Sequence, residues 1–160
     1  MARKKIVLLG DPIINEEEVA LEALVPGHLL ELTATGVQKN TDDAANVAVA
    51  VALERDELGK EIGPTGTGLG QTGAAGPAGA AEYAIGDTVK VGTFAPGMRA
   101  YMFLASGQNV AKGAYLTGTT TGLLTATGVT ASVRLARALE AVNASGSAPV
   151  AGTRIRVEIV

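Results

Sequence analysis

From Arg154 to Ile159 the chain alternates without a break: Ile155, Val157 and Ile159 fall on one side, Arg154, Arg156 and Glu158 on the other. A period of two with one apolar and one charged side predicts a half-buried strand. Between Val47 and Leu53 the period is equally strict, but valine and leucine alternate with Ala48, Ala50 and Ala52. That strand is expected to be buried on both faces, with valines in a core and alanines where a neighbour comes close. Leu29 to Thr33, Thr88 to Val91, Ala100 to Leu104 and Leu123 to Ala126 are further strand candidates, punctuated by single glycines from Gly86 to Gly128. Near the N-terminus, Lys5 to Leu9 is β-prone and stops at Gly10-Asp11-Pro12. Asn15, followed by Glu16, Glu17 and Glu18, has the form of a helix cap with a returning carboxylate three positions on, which predicts a helix of two turns at most before Pro26-Gly27. Many short strands with close turn signals predict an all-β fold, a small β-barrel or sandwich.

The segment Ser132 to Glu140 is ambiguous on its own, because Arg, Ala, Leu and Glu also favour helix. An internal repeat resolves it as strand. GHLLELTATG from Gly27 returns as GAYLTGTTTG from Gly113, and VALE ending at Glu54 returns as RALE ending at Glu140, both at an offset of 113 − 27 = 86. GDTVKV from Gly86 returns as GTRIRV from Gly152, at only 152 − 86 = 66. The first copy therefore carries about twenty extra residues, and the glycine-rich stretch Gly63–Gly79 lies within them. The expected organisation is an extended N-terminal arm (residues 1–14) and a single β domain (15–160). That domain holds two pseudo-repeated halves, about 27–62 plus 83–94 and 113–160, with a Gly-rich insert at 63–79.

From Gly70 the insert runs GQTGAAGPAGAA, a collagen-like register of too few triplets to hold three chains together, and it is expected to be a surface loop. Gly66, Gly68 and Gly70 lack the flanking strand and helix of a dinucleotide site. His28 is the sole histidine and stands beside Pro26 and Gly27, away from any G-x-S-x-G, so it is read as a turn or surface residue. Asp42-Asp43 and Glu16–Glu18 lack calcium-loop spacing. No catalytic, cofactor or metal residue is assigned, and the chain is read as a non-enzyme.

Composition adds two constraints. Hydrophobic residues make up 47% of the chain but aromatics only 3%, with no Trp, so the core must be aliphatic and each buried side chain contributes modest area. Such a core benefits from self-association. There is no cysteine, and the apolar run Ile6–Leu9 is too short for a signal-peptide core or a membrane span. Net charge is −3, which gives no reason to expect nucleic acid, but residues 1–80 hold 6 basic and 12 acidic side chains against 7 and 4 in residues 81–160. That asymmetry can favour head-to-side packing between copies.

The segments KIVLLGDPIINEE, VPGHLLEL, VAVALERDELGKEI, YAIGDTVKVGTFAPGMRAYMFLA and GQNVAKGAYLTGTTTGLLTA, which together span most of the chain, resemble the decoration (cement) proteins of tailed-bacteriophage capsids. The insert after Ile62 departs from the compact link usual there. The resemblance implies a small β protein made in the host cytoplasm and carried on the outer surface of the virion, as a homotrimer bridging major capsid protein subunits. The partners expected are therefore the capsid protein and copies of itself, with neither nucleic acid nor membrane. Capsid-interface candidates are Arg3, Lys4, Lys5, Ile6, Val7, Leu8 and Leu9 of the arm, which has no duplicated counterpart and would be free to lie on a neighbouring sheet edge. Tyr101 and Phe103, the aromatic concentration of one strand, are candidate oligomer contacts. Two other classes are open: a carbohydrate- or host-surface-binding module using Tyr83, Phe94, Tyr101, Phe103 and Tyr115, and a trimeric β enzyme with shared sites.

Overall fold

The structure, a computed structural model, describes residues 6–41, 49–54, 83–128, 133–144 and 153–160. Among these every regular element is a strand, so the protein is all-β. In chain order they are β1 (Val7–Leu9), β2 (Ile13–Val19), β3 (Leu29–Leu32), β4 (Val37–Lys39), β5 (Val49–Ala52) and β6 (Thr88–Phe94), then β7 (Arg99–Leu104), β8 (Asn109–Val110), β9 (Tyr115–Gly118), β10 (Leu124–Ala126), β11 (Ala136–Ala138), β12 (Val142–Asn143) and β13 (Thr153–Ile159).

The strands form two barrels with one connectivity. In the first, neighbours run β2-β6-β5-β3-β4, and a parallel bridge from Ala20 to Val37 closes β4 back onto the end of β2. In the second they run β7-β13-β11-β9-β10, and the parallel pairing of Leu124 with Leu104 closes β10 onto β7. Registers coincide as well as order. Leu30 opposes Ala50 as Leu116 opposes Ala136, and Ala52 opposes Val91 as Ala138 opposes Val157. Loop hydrogen bonds repeat too: Gly27 N–H to Ala52 O and Gly113 N–H to Ala138 O are both 2.8 Å. The antiparallel bridge Leu24–Tyr83 has its counterpart in the β8–β12 pair, Val110 with Val142. Gly27 and Gly113 share positive φ (98° and 87°), which a β-carbon would strain, so the repeated glycine is a backbone requirement.

Each barrel buries alternate residues. Leu30, Val37, Ala50, Ala52, Val89 and Val91 fill the first together with Leu24 and Tyr83, whose hydroxyl donates to Leu53 O at 2.8 Å. Leu116, Leu124, Ala136, Ala138, Ile155, Val157 and Met102 fill the second. β5 is buried on both faces, as its valine–alanine alternation predicts. Its alanines line the first barrel, while Val49 and Val51 join the second barrel's cluster. The outer face of the first barrel is thus the wall of the second. Leu29 anchors this junction: its N–H donates to Gly122 O at 2.8 Å. Its Cδ2 lies only 2.7 Å from where a β-carbon on Gly118 would stand.

Three expectations are corrected. Residues 13–19 are strand rather than arm end and helix start. Asn15 Nδ2 does reach Glu18 Oε1 at 2.9 Å, but the contact sits at a bulge in the β2–β6 pairing. The arm is not external: β1 pairs antiparallel with β7, and Ile6 is fully buried in the second barrel's cluster. Its carbonyl accepts from Tyr101 N–H at 2.8 Å, and its N–H meets the Glu54 carboxylate at 3.3 and 3.4 Å. An absent repeat partner did not mean an absent core role. The Ser132 to Glu140 strand is confined to Ala136–Ala138, and Val133 to Leu135 are described without strand pairing. Arg3, Lys4, Lys5 and the Gly63–Gly79 insert lie outside the described residues.

Candidate functional site

The second barrel turns one sheet face outward, and it carries an arginine ladder. Across β7, β13, β11 and β9 the register aligns Arg99, Glu158, Arg137 and Tyr115 in one row. Glu158 is shared by Arg137 at 2.8 Å and Arg99 at 3.2 Å. Hydrogen bonds from Arg137 first and Arg99 second hold its carboxyl below the ordinary range. One row along, Tyr101 opposes Arg156, which pairs with Glu140 at 2.8 Å. The Glu140 hydrogen bond raises the Arg156 pKa. Phe103 opposes Arg154, and Arg134 stacks on the Tyr115 ring at 4.6 Å.

Five of the seven basic residues in 81–160 thus gather on one face with two glutamates, 5 − 2 = +3. The late-half charge excess is therefore spatially sorted. Exposed ion pairs of this kind contribute little to stability. Sequence reading found half of the ladder, the wet side of β13. It missed that β7, β9 and β11 add to that side, because the pairing is nonlocal.

Tyr101 is half-buried and Phe103 is 8% exposed; the Arg154 guanidinium lies 5.8 and 4.5 Å from their ring centres, and its Nη2 donates to Pro26 O at 2.7 Å. Phe103 also contacts the His28 ring at 5.3 Å. As an oligomer contact Phe103 is corrected: it is spent inside the chain, at the junction of the barrels. His28 stands at the Pro26-Gly27 turn, as its sequence neighbours indicate, and is half-buried there, its backbone N–H donating to Val25 O at 3.1 Å. Burial pushes its pKa down to about 4, with Lys39 adding to the depression. Its Nδ1 accepts the Val25 N–H at 3.2 Å.

His28 lines an open cleft of about 330 Å³ with Glu22, Lys39, Thr41, Thr120, Thr121 and Leu123. Lys39 Nζ bonds Glu22 Oε2 at 2.9 Å. Burial raises the Glu22 pKa, but hydrogen bonds from the Lys39 side chain and backbone outweigh it and leave the carboxyl low. The cleft pairs its charges internally, and among the described residues no group of three His, Asp or Glu is placed to hold a metal ion.

Two apolar surfaces complete the exterior. Leu8, Leu9, Ile13 and Ile14, at 41–76% exposure, surround the Gly10-Asp11-Pro12 turn next to the edge strand β1. Of the arm candidates, then, Leu8 and Leu9 are exposed, Val7 is half-buried and Ile6 is inaccessible. Val19, Leu21, Leu32 and Ile85, at 37–73%, flank the parallel seam that closes the first barrel. No sequence pattern singled these out, since they are adjacent only through barrel closure. No protein-family model and no curated protein matches the chain.

Proposed function

We propose that the protein is a structural virion component that binds the outer surface of an icosahedral phage head as a homotrimer and stabilises the shell by bridging major capsid subunits. The resemblance of its segments to capsid decoration proteins motivates the reading. The observation that carries it is the exposed apolar edge at β1. This edge strand is paired on one side only among the described residues, and Leu8, Leu9, Ile13 and Ile14 stand exposed around the turn that follows it. An edge of this kind accepts a strand from a partner, backbone bonds giving affinity and alternate side chains giving specificity. Binding that requires the assembled shell stabilises that shell by mass action.

The carbohydrate reading is weakened by the same geometry. Tyr83, Phe94 and Phe103 are buried, and Tyr101 and Tyr115 each lie beneath an arginine, which leaves no open ring for a sugar to stack on. The test is co-sedimentation of the purified full chain with expanded capsids lacking it. Wild-type binding that Leu9→Asp with Ile13→Asp abolishes supports the proposal. Failure of the wild type to bind expanded capsids, or unchanged binding by that variant, rejects it.

A further inference from the structure

The two barrels are equivalent in fold but not in what covers them. In the first, the outer face of β3 and β5 presents Leu29 and Val51, both fully buried against the second barrel. At an offset of 86 these positions are Tyr115 and Arg137 in the second barrel, where the same face is open and carries the arginine ladder (115 − 29 = 137 − 51). The receiving end shows the opposite asymmetry. Leu29 seats on the rim of the second barrel, at Gly118 and Gly122. The equivalent rim positions of the first barrel are Leu32 and Gly36 (118 − 32 = 122 − 36 = 86). That rim carries Leu32 at 49%, Leu21 at 37%, Val19 at 40% and Ile85 at 73% exposure. Each chain therefore leaves exposed the counterpart of each half of its own internal contact, altered in chemistry: Tyr115 and Arg137 stand for Leu29 and Val51, and Leu32 for Gly118.

We infer that copies of this chain associate head to tail, the outer face of one second barrel around Tyr115, Arg134 and Arg137 seating on the first-barrel rim of the next around Leu32, Gly36 and Ile85. Charge supports the pairing. Glu18, Glu31 and Asp87 belong to the strands and turn that form the receiving rim: Glu18 precedes Val19 on β2, Glu31 adjoins Leu32 on β3, and Asp87 O accepts from Ala20 N–H. The incoming face has a net +3. Exposed apolar side chains framed by carboxylates suit a tyrosine and arginine surface, the residue types enriched at interface centres. A contact between two different patches is heterologous, so it closes into a ring or runs on as a filament. The inference rests on the homotrimer in the proposed function and names the surfaces that would build it.

The test uses the full chain and two variants, each blocked at one patch: Arg137→Glu on the face and Leu32→Glu on the rim. Sedimentation velocity and native mass spectrometry, over rising concentration and two salt levels, are expected to give a wild-type trimer that weakens with salt and monomers for each variant alone. Mixing the two variants is then expected to give a one-to-one dimer, because one intact face meets one intact rim. An isologous contact would not produce that restoration. Circular dichroism and thermal melting confirm folding, and Ile85→Asp replaces Leu32→Glu should the latter fail to fold. A monomeric wild type, a variant that keeps the wild-type mass, or a mixture that stays monomeric overturns the inference. Capsid co-sedimentation is read separately: a monomeric wild type that still binds shells rejects only the head-to-tail contact, whereas an oligomer indifferent to shells rejects only the capsid role.

Discussion

Replacing Ile6 by Ala tests whether the N-terminal segment belongs to the core or to a partner. Ile6 is 0% exposed, and the backbone on both sides of it is tied, through Tyr101 N–H at 2.8 Å and the Glu54 carboxylate at 3.3 and 3.4 Å. Its Cδ1 would lie 3.5 Å from a β-carbon on Gly27, a residue whose own position is fixed by its bond to Ala52. With the walls held, the site cannot collapse onto the missing methyls, so the cost should fall in the middle of the range for large-to-small core changes, roughly 3–4 kcal/mol. Leu8→Ala, two positions away but 41% exposed, should cost about 1 kcal/mol or less. Equilibrium urea unfolding with a shared m-value gives both numbers. Removal of residues 1–10 takes away β1 and Ile6 together and should destabilise the body at least as much as Ile6→Ala. Equal losses for Ile6→Ala and Leu8→Ala, or a truncated chain as stable as the full one, would refute the placement of Ile6 in the core.

Three further outcomes are expected. The folded-state pKa of His28, about 4, lies below its unfolded value near 6.5, so the neutral ring stabilises the fold fully above pH 6.5 and that contribution is lost as pH falls toward 4. The loss should reach about 3 kcal/mol in urea unfolding, and His28→Gln should flatten the pH profile over that window. Gly118→Ala places a β-carbon 2.7 Å from Leu29 Cδ2 and 3.0 Å from Asn40 Nδ2 and should cost roughly 1–3 kcal/mol, whereas in a Leu29→Ala background, with only the close Asn40 contact left, the added cost should be clearly smaller; additive losses would argue against the close approach. Deleting residues 65–78 should leave the melting temperature nearly unchanged, because the connection from Ala52 to Thr88 has 88 − 52 − 1 = 35 residues. The equivalent one from Ala138 to Thr153 works with 153 − 138 − 1 = 14.

What the sequence disclosed depended on whether the determinant was local. β13 and β5 were legible because each states its faces within seven residues, and the repeat was legible where turn glycines such as Gly27 and Gly113 had to be kept. β2 was misread because Asn15 and Glu18 do bond to each other, as in a helix cap, while the pairing with β6 that makes the segment a strand lies some 70 residues away by sequence number (88 − 19 = 69). Its equivalence to β7 was hidden altogether, since IINEEEV and RAYMFL share only a place in the barrel. The arginine ladder and the apolar rim were invisible for the same reason. Each is assembled from strands that meet only on closure, so charge counts gave the sign of the surface and not its location.

The way one barrel serves as the wall of the other also sets a timetable for biosynthesis. The first barrel, residues 13–94, has all its strands once β6 has left the ribosome, yet its outer surface at Leu29, Val49, Val51 and Phe94 has no cover until the second barrel follows. Ile6 and Val7, made before either barrel, wait for Ala100 and Tyr101 before they have a partner. At typical translation speeds that interval lasts several seconds, during which a barrel with a greasy flank and a loose leading strand is exposed to other nascent chains. Slow codons placed after β6 should therefore lower the soluble yield, and rapid passage through residues 95–160 should raise it.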